Sequence, residues 1–94
     1  MYKIIGIYNK DKKRTPKTVG RYPLRVGRIV SEETVWFANV GSPLIMKYIS
    51  DENGKDYQGH YLWCSRLYRK TRVDNFTIEL ETKNTIYVLK RTEA

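Results

Sequence analysis

One cysteine and one histidine are all the thiol and imidazole chemistry these 94 residues hold. With Cys64 alone no intramolecular disulfide can form and no paired-thiolate motif exists, which points to a reducing compartment. A structural zinc wants four ligands and a catalytic one usually three. His60 and Cys64, spaced H-x-x-x-C, therefore fall short of either set, and no metal or cofactor is expected. A thiol nucleophile would also need an orienting third group and an oxyanion site, and neither can be read from the sequence. No apolar run approaches the roughly 18 residues of a membrane-spanning helix. The apolar start of MYKIIGIYNK stops after about seven residues at a basic stretch, too soon for a signal peptide. A cytoplasmic protein is the expectation.

The glycines are scattered, with no G-x-x-x-x-G-K-[ST] and no G-x-G-x-x-G, so no nucleotide phosphate cradle is written here. Two acids at a suitable separation can run hydrolysis, but Glu32/Glu33 and Asp51/Glu52 are adjacent pairs flanking turns. Neighbours on a strand point apart, and turn acids are normally solvated. Ser42 and Ser65 lack a partner histidine in any recognisable arrangement. The chain is read as a non-enzymatic protein.

Acid is scarce where base is dense. Residues 1 to 30 contain nine lysines and arginines against Asp11 alone, and so carry the whole formal charge of +8. Residues 31 to 60 sum to −3 and residues 61 to 94 to +3, which cancel. Such asymmetry speaks for an acidic partner and says nothing about fold.

The length suits one domain, residues 1–94, with room for one modest core. Hydrophobic residues make up 40% and charged ones 30%, and the eight Tyr, two Trp and two Phe separate the chain from disordered compositions. Trp36, Phe37, Trp63 and Phe76 belong in the core on this reading, since each ring can bury roughly 150–250 Å². Apolar residues recur mostly at period two in short segments rich in Val, Ile, Thr and Tyr, bounded by Gly, Pro, Asn and Asp.

The first strand is Tyr2 to Tyr8, with Ile4 and Gly6 on one face and Ile5 and Ile7 on the other. Asn9 to Thr18 follows as a flexible lysine-rich loop with no apolar anchor. Val19 to Val30 reads as one bent edge strand or two short ones, interrupted by Gly20, Pro23 and Gly27. Glu33 to Val40 reads as a strand, and so does Leu44 to Ser50, whose pleat opposes Ile45 to Leu44, Met46 and Tyr48. Asn53-Gly54 is a strong hairpin signal that returns the chain into Tyr57 to Trp63. Arg66 to Val73, Phe76 to Glu81 and Ile86 to Arg91 complete the set. Trp63 and Leu67, four apart, leave open one helical turn within Tyr61 to Lys70.

The C-terminal FTIELETKNTIYVLKR resembles the closing hairpin of many small barrels. The fold class is all-β: a small barrel or sandwich of six to eight short antiparallel strands, SH3-like or OB-like, with at most one short helical turn.

Binding is where the sequence is most informative. Lys10, Lys12, Lys13, Arg14 and Lys17 can neutralise several phosphates without sequence preference. Arg66, Tyr68, Lys70 and Arg72 alternate along one side of a predicted strand, so that a ring able to stack on a base lies among cations that follow a backbone. Arg21, Arg25 and Arg28 extend the positive surface. Nucleic acid, single-stranded or bound without sequence specificity, is thus the first expectation for a partner. The alternative is a protein-interaction module, such as a phage or mobile element makes, docking on an acidic protein surface through Tyr22, Tyr48, Tyr57 and Tyr61.

Overall fold

Every second residue is apolar in Leu44, Met46 and Tyr48, and again in Ile78 and Leu80, and these side chains are the ones the sheet buries. The computed structural model describes residues 1–92. Its elements are β1 (Tyr2–Asn9), α1 (Tyr22–Arg25), β2 (Ile29–Val30), α2 (Glu32–Trp36), β3 (Pro43–Ser50), β4 (Tyr61–Arg66), β5 (Arg69–Arg72), β6 (Thr77–Glu81) and β7 (Thr85–Arg91). All seven strands join one antiparallel sheet in the order β4-β3-β2-β1-β7-β6-β5, curled into a half-barrel. The all-β class is as expected.

The curl has a covalent cause. β4 and β5 are the two outer strands of the sheet, yet only Leu67 and Tyr68 separate them in the chain. So short a link reaches about 11 Å at full extension, which brings the two edges together at one corner. Leu67 N–H donates to the Ser42 carbonyl beside β3, and Tyr68 N–H donates to the Glu81 carbonyl of β6. The corner is thereby tied to both halves of the sheet. Leu67 is buried in the core with Ile4, Val30, Leu44, Met46, Leu80 and Leu89.

Four local expectations need correction. In β1 the register slips between Ile4 and Gly6, which pair with Leu89 and Val88 respectively. Ile5 is the extra residue of a bulge and points to solvent, while Ile4 and Ile7 both face the core. Gly6 receives the Tyr8 ring: a Cβ there would lie 2.5 Å from Tyr8 Cε2.

Val19 to Val30 is neither a bent strand nor an edge. Pro23 sits in the first turn of α1, where its missing N–H costs nothing. Only Ile29 and Val30 pair, between β1 and β3 in the interior of the sheet.

Glu33 to Val40 is not a strand. Ser31 precedes α2 in an extended conformation, two acids fill the first turn, and Thr34, Val35 and Ala38 turn inward at helical spacing. The described residues therefore hold two short helices where at most one helical turn was expected, and Tyr61 to Arg66 is strand.

The hairpin after β3 is longer than the sequence reading made it. Asp51 Oδ1 accepts from the backbone N–H of Asn53 and of Lys55, Gly54 takes φ +82°, and β4 begins at Tyr61.

Candidate nucleic-acid interface

Tyr68 stands at the closed corner with 55% of its surface exposed. The Lys10 ammonium lies 4.8 Å from its ring centroid, which brings the lysine-rich loop to the ring that the sequence set among the cations of residues 66 to 72. That loop is not loose. The Asp11 carboxylate accepts from the Thr15 hydroxyl at 2.7 Å and the Thr15 N–H at 3.1 Å, and these bonds hold its carboxyl below the usual carboxylate range. Asn9 N–H donates to the Thr15 carbonyl and Lys17 N–H to the Ile7 carbonyl, so the segment folds back on the end of β1.

Its cations are unequal. Lys10 reaches the Thr82 carbonyl at 3.0 Å and the Glu81 carboxylate at 3.8 Å. Arg14 donates to Glu79 at 2.8 Å, and its guanidinium lies 5.6 Å from the Tyr8 ring centroid. Those two are half-neutralised anchors. Lys12 and Lys13 are exposed and have no acidic partner among the described residues. Lys17 points elsewhere, donating to Thr85 Oγ1 at 2.7 Å and packing against Tyr22.

The Arg66 to Arg72 face is corrected. It is interrupted at Leu67-Tyr68, so Arg66 ends β4 while Lys70 and Arg72 belong to β5. Lys70 and Arg72 pair with the buried Leu80 and Ile78 and share their side of the sheet, whereas Arg69 and Thr71 pair with Glu81 and Glu79 on the outer side. Lys70 is committed to structure: its ammonium donates to the carbonyls of Val35 at 2.6 Å and Ala38 at 3.3 Å, at the end of α2. Tyr68 thus neighbours Lys10, Arg66 and Arg69, and Arg69 is a residue the sequence pattern missed.

The large rings reverse their expected places. Trp36 is 63% exposed, Phe37 68%, Trp63 70% and Phe76 59%. Across β3 and β4 the register sets Tyr61 opposite Lys47, Trp63 opposite Ile45 and Arg66 opposite Pro43. Phe37 and Ala38 flank this face, closing a groove of about 330 Å³ with Glu33 and Lys47, an ion pair, on its rim. A signal was present: Tyr61 and Trp63 alternate with Leu62 and Cys64, which turn toward the core. Among the tyrosines named for protein contact only Tyr61 is exposed; Tyr48 is buried and Tyr22 and Tyr57 are half-buried. Of the extending arginines, Arg21 is exposed, Arg25 lies on Tyr22 and Arg28 pairs with Glu52 at 2.9 Å.

His60 and Cys64 are not brought together. The imidazole stacks on Tyr57 at 4.0 Å, and the thiol donates to the Tyr87 hydroxyl at 3.6 Å. Burial pushes the Cys64 thiol up from its ordinary value, away from the thiolate. Glu32 holds the N-terminal ammonium and Arg91. No cluster of three or more His, Cys, Asp or Glu that could hold a metal occurs among the described residues, and no helix there is long and apolar enough to cross a membrane. In comparisons with known protein families, curated proteins and solved structures nothing matches, so function is argued from these residues alone.

Proposed function

We propose that this chain is a small non-enzymatic binding domain that holds single-stranded nucleic acid, without sequence preference, around the Tyr68 corner. The exposed Tyr68 ring, set between the loop carrying Lys10 and Arg66 and Arg69, which have no ion pair among the described residues, carries this reading. A base stacked on such a ring gains about 1–3 kcal/mol. Lys12, Lys13, Arg66 and Arg69 follow the phosphates, and Trp63, on the same face of β4 as Arg66, offers a second stacking surface. The cytoplasm is the compartment that goes with this reading, given a lone unpaired cysteine.

Fluorescence anisotropy with labelled single-stranded DNA and RNA tests it. Four engaged cations give a slope of log affinity against log salt of about −3, at roughly −0.7 each. Tyr68→Ala costs about 1–3 kcal/mol of binding. Absence of binding at about 50 mM salt, where such contacts are strongest, ends the proposal.

The groove between Phe37 and Trp63 favours a second reading, docking on a protein. Its apolar walls and the Glu33 carboxylate on its rim suit a polypeptide better than a polyanion. A polypeptide that co-purifies after nuclease treatment, and is lost in Trp63→Ala but kept in Tyr68→Ala, would select this reading over the first.

A further inference from the structure

The half-barrel leaves a seam between β4 and the turn that joins β6 to β7, and α1 closes one side of it. The seam is a pocket of about 300 Å³, at the small end of ligand sites. Among the described residues no carboxylate lines it. Lys17 and Arg25 both enter it, their charges 4.5 and 4.9 Å from the centroid of the Tyr22 ring, and neither has an acidic partner among the described residues. Two cations fixed on one ring, facing hydroxyls, make a donor-rich chamber.

The floor is built rather than incidental. Tyr87 is 3% exposed and its phenol lines the pocket. Burial raises it far above the ordinary range, so it remains a neutral O–H. Its hydroxyl lies 3.6 Å from the Cys64 thiol, which fixes the ring at the pocket floor. Thr85 Oγ1 accepts from Lys17, a hydroxyl that can also donate, and Ser65 and Asn84 share the lining. Lys17, Arg25, Ser65, Asn84 and Thr85 can each donate here, and two of them add a full positive charge. A phosphate monoester matches that inventory, with −1.5 to −2 charge at neutral pH and three acceptor oxygens, better than a carboxylate with one charge and two oxygens. Trp63 of the outer strand β4 lies at the rim.

We propose that the seam pocket binds a small phosphate monoester, held by Lys17, Arg25 and Thr85 over the Tyr87 floor. The proposal does not depend on the strand-binding reading, because Tyr68, Lys10, Arg66 and Arg69 lie outside the pocket and only Trp63 is common to both. The same phosphate chemistry comes from a free mononucleotide or from the terminal phosphate of a strand.

Amide NMR shifts on the full chain decide it, with inorganic phosphate, adenosine monophosphate, adenosine and acetate as probes. Phosphate and the nucleotide should move Ser65, Asn84 and Thr85 saturably, and adenosine and acetate should not. Lys17→Gln and Arg25→Gln, which keep the side-chain stems, should each weaken nucleotide binding about tenfold. Tyr68→Ala should leave it unchanged. No saturable shift up to about 10 mM phosphate, or full affinity in both glutamine variants, overturns the proposal. A 5′-phosphorylated oligothymidylate that outbinds its unphosphorylated twin assigns the pocket to strand ends. Equal binding of the two, with the mononucleotide still seated, assigns it to free nucleotides.

Discussion

Lys70 and Arg69 are neighbours of like charge, and the structure gives them opposite work. Lys70 supplies hydrogen to two carbonyls at the end of α2, while Arg69 stands on the outer side of β5 without an acid among the described residues. Hydrogen bonds from a charged donor are worth about 1.5–3 kcal/mol, and solvent around a part-exposed lysine reduces that. Lys70→Ala should therefore lower stability by about 1–2 kcal/mol in urea denaturation and leave the salt slope of nucleic-acid binding where it was. Arg69→Ala should do the reverse: stability within about 0.5 kcal/mol, slope shallower by about 0.7. Equal effects from the two variants would contradict the division of labour. An alternation of cations is visible in a sequence; which of them faces a helix end is not, because that depends on a strand break between Arg66 and Arg69. Tyr68 was legible since any ring within a basic strand is a candidate, and Trp63 was missed because large rings are read as core by default.

At the level of elements, the strands with strict alternation were the legible ones. β3 and β6 place Leu44, Met46, Tyr48, Ile78 and Leu80 inward as their period demands. α2 was hidden by composition and by length. Thr34, Val35, Trp36 and Phe37 are strand-loving residue types, and five residues are too few for a helical period to show. Only the Ser31-Glu32-Glu33 start carried a helix signal. The difference is measurable. In a helix Val35 is buried and Trp36 is not, so Val35→Ala should cost about 2 kcal/mol for its two lost methyl groups, while Trp36→Ala should stay within about 0.5 kcal/mol. A strand pairing through Trp36 would invert that order. Thr34 adds an independent check, since its Oγ1 accepts from the Lys47 N–H at 2.9 Å across α2 and β3. Thr34→Val keeps the shape and strands that donor, at about 1–3 kcal/mol. The bulge at Ile5 was illegible for a different reason: one extra residue shifts the phase of β1 without changing its composition.

At the scale of the whole molecule, the acids among the described residues are committed to structure and the surplus base is left outside. Glu32, Glu33, Glu52, Glu79 and Glu81 each take an ion pair, while Asp11, Asp51, Asp56 and Asp74 each accept hydrogen bonds that close a turn. With a net charge of +8, the fold binds its own loops with what little acid it has and leaves part of its base without an acidic partner among the described residues. This arrangement makes the protein sensitive to acid. Asp11, Glu32, Glu52 and Asp74 are all held below their ordinary values, Asp11 by Thr15, Glu32 by the N-terminal ammonium and Arg91, Glu52 by Arg28, and Asp74 by the N–H of Phe76 and the bonds of Thr77. A carboxyl that ionises more readily folded than unfolded stabilises the fold above its unfolded value, and that contribution is lost as pH falls through the folded one. The melting temperature should be flat from about pH 8 to pH 5 and fall steeply below about pH 4, as each protonated acid both releases its turn or ion pair and adds to a positive charge already in excess. Asp74→Asn should flatten part of that fall, because the amide oxygen still accepts from the Phe76 and Thr77 N–H groups but no longer titrates. A melting temperature unchanged down to about pH 2.5 would mean that these carboxylates do not hold the loops, and with them would go the argument for a lysine-rich loop fixed beside Tyr68.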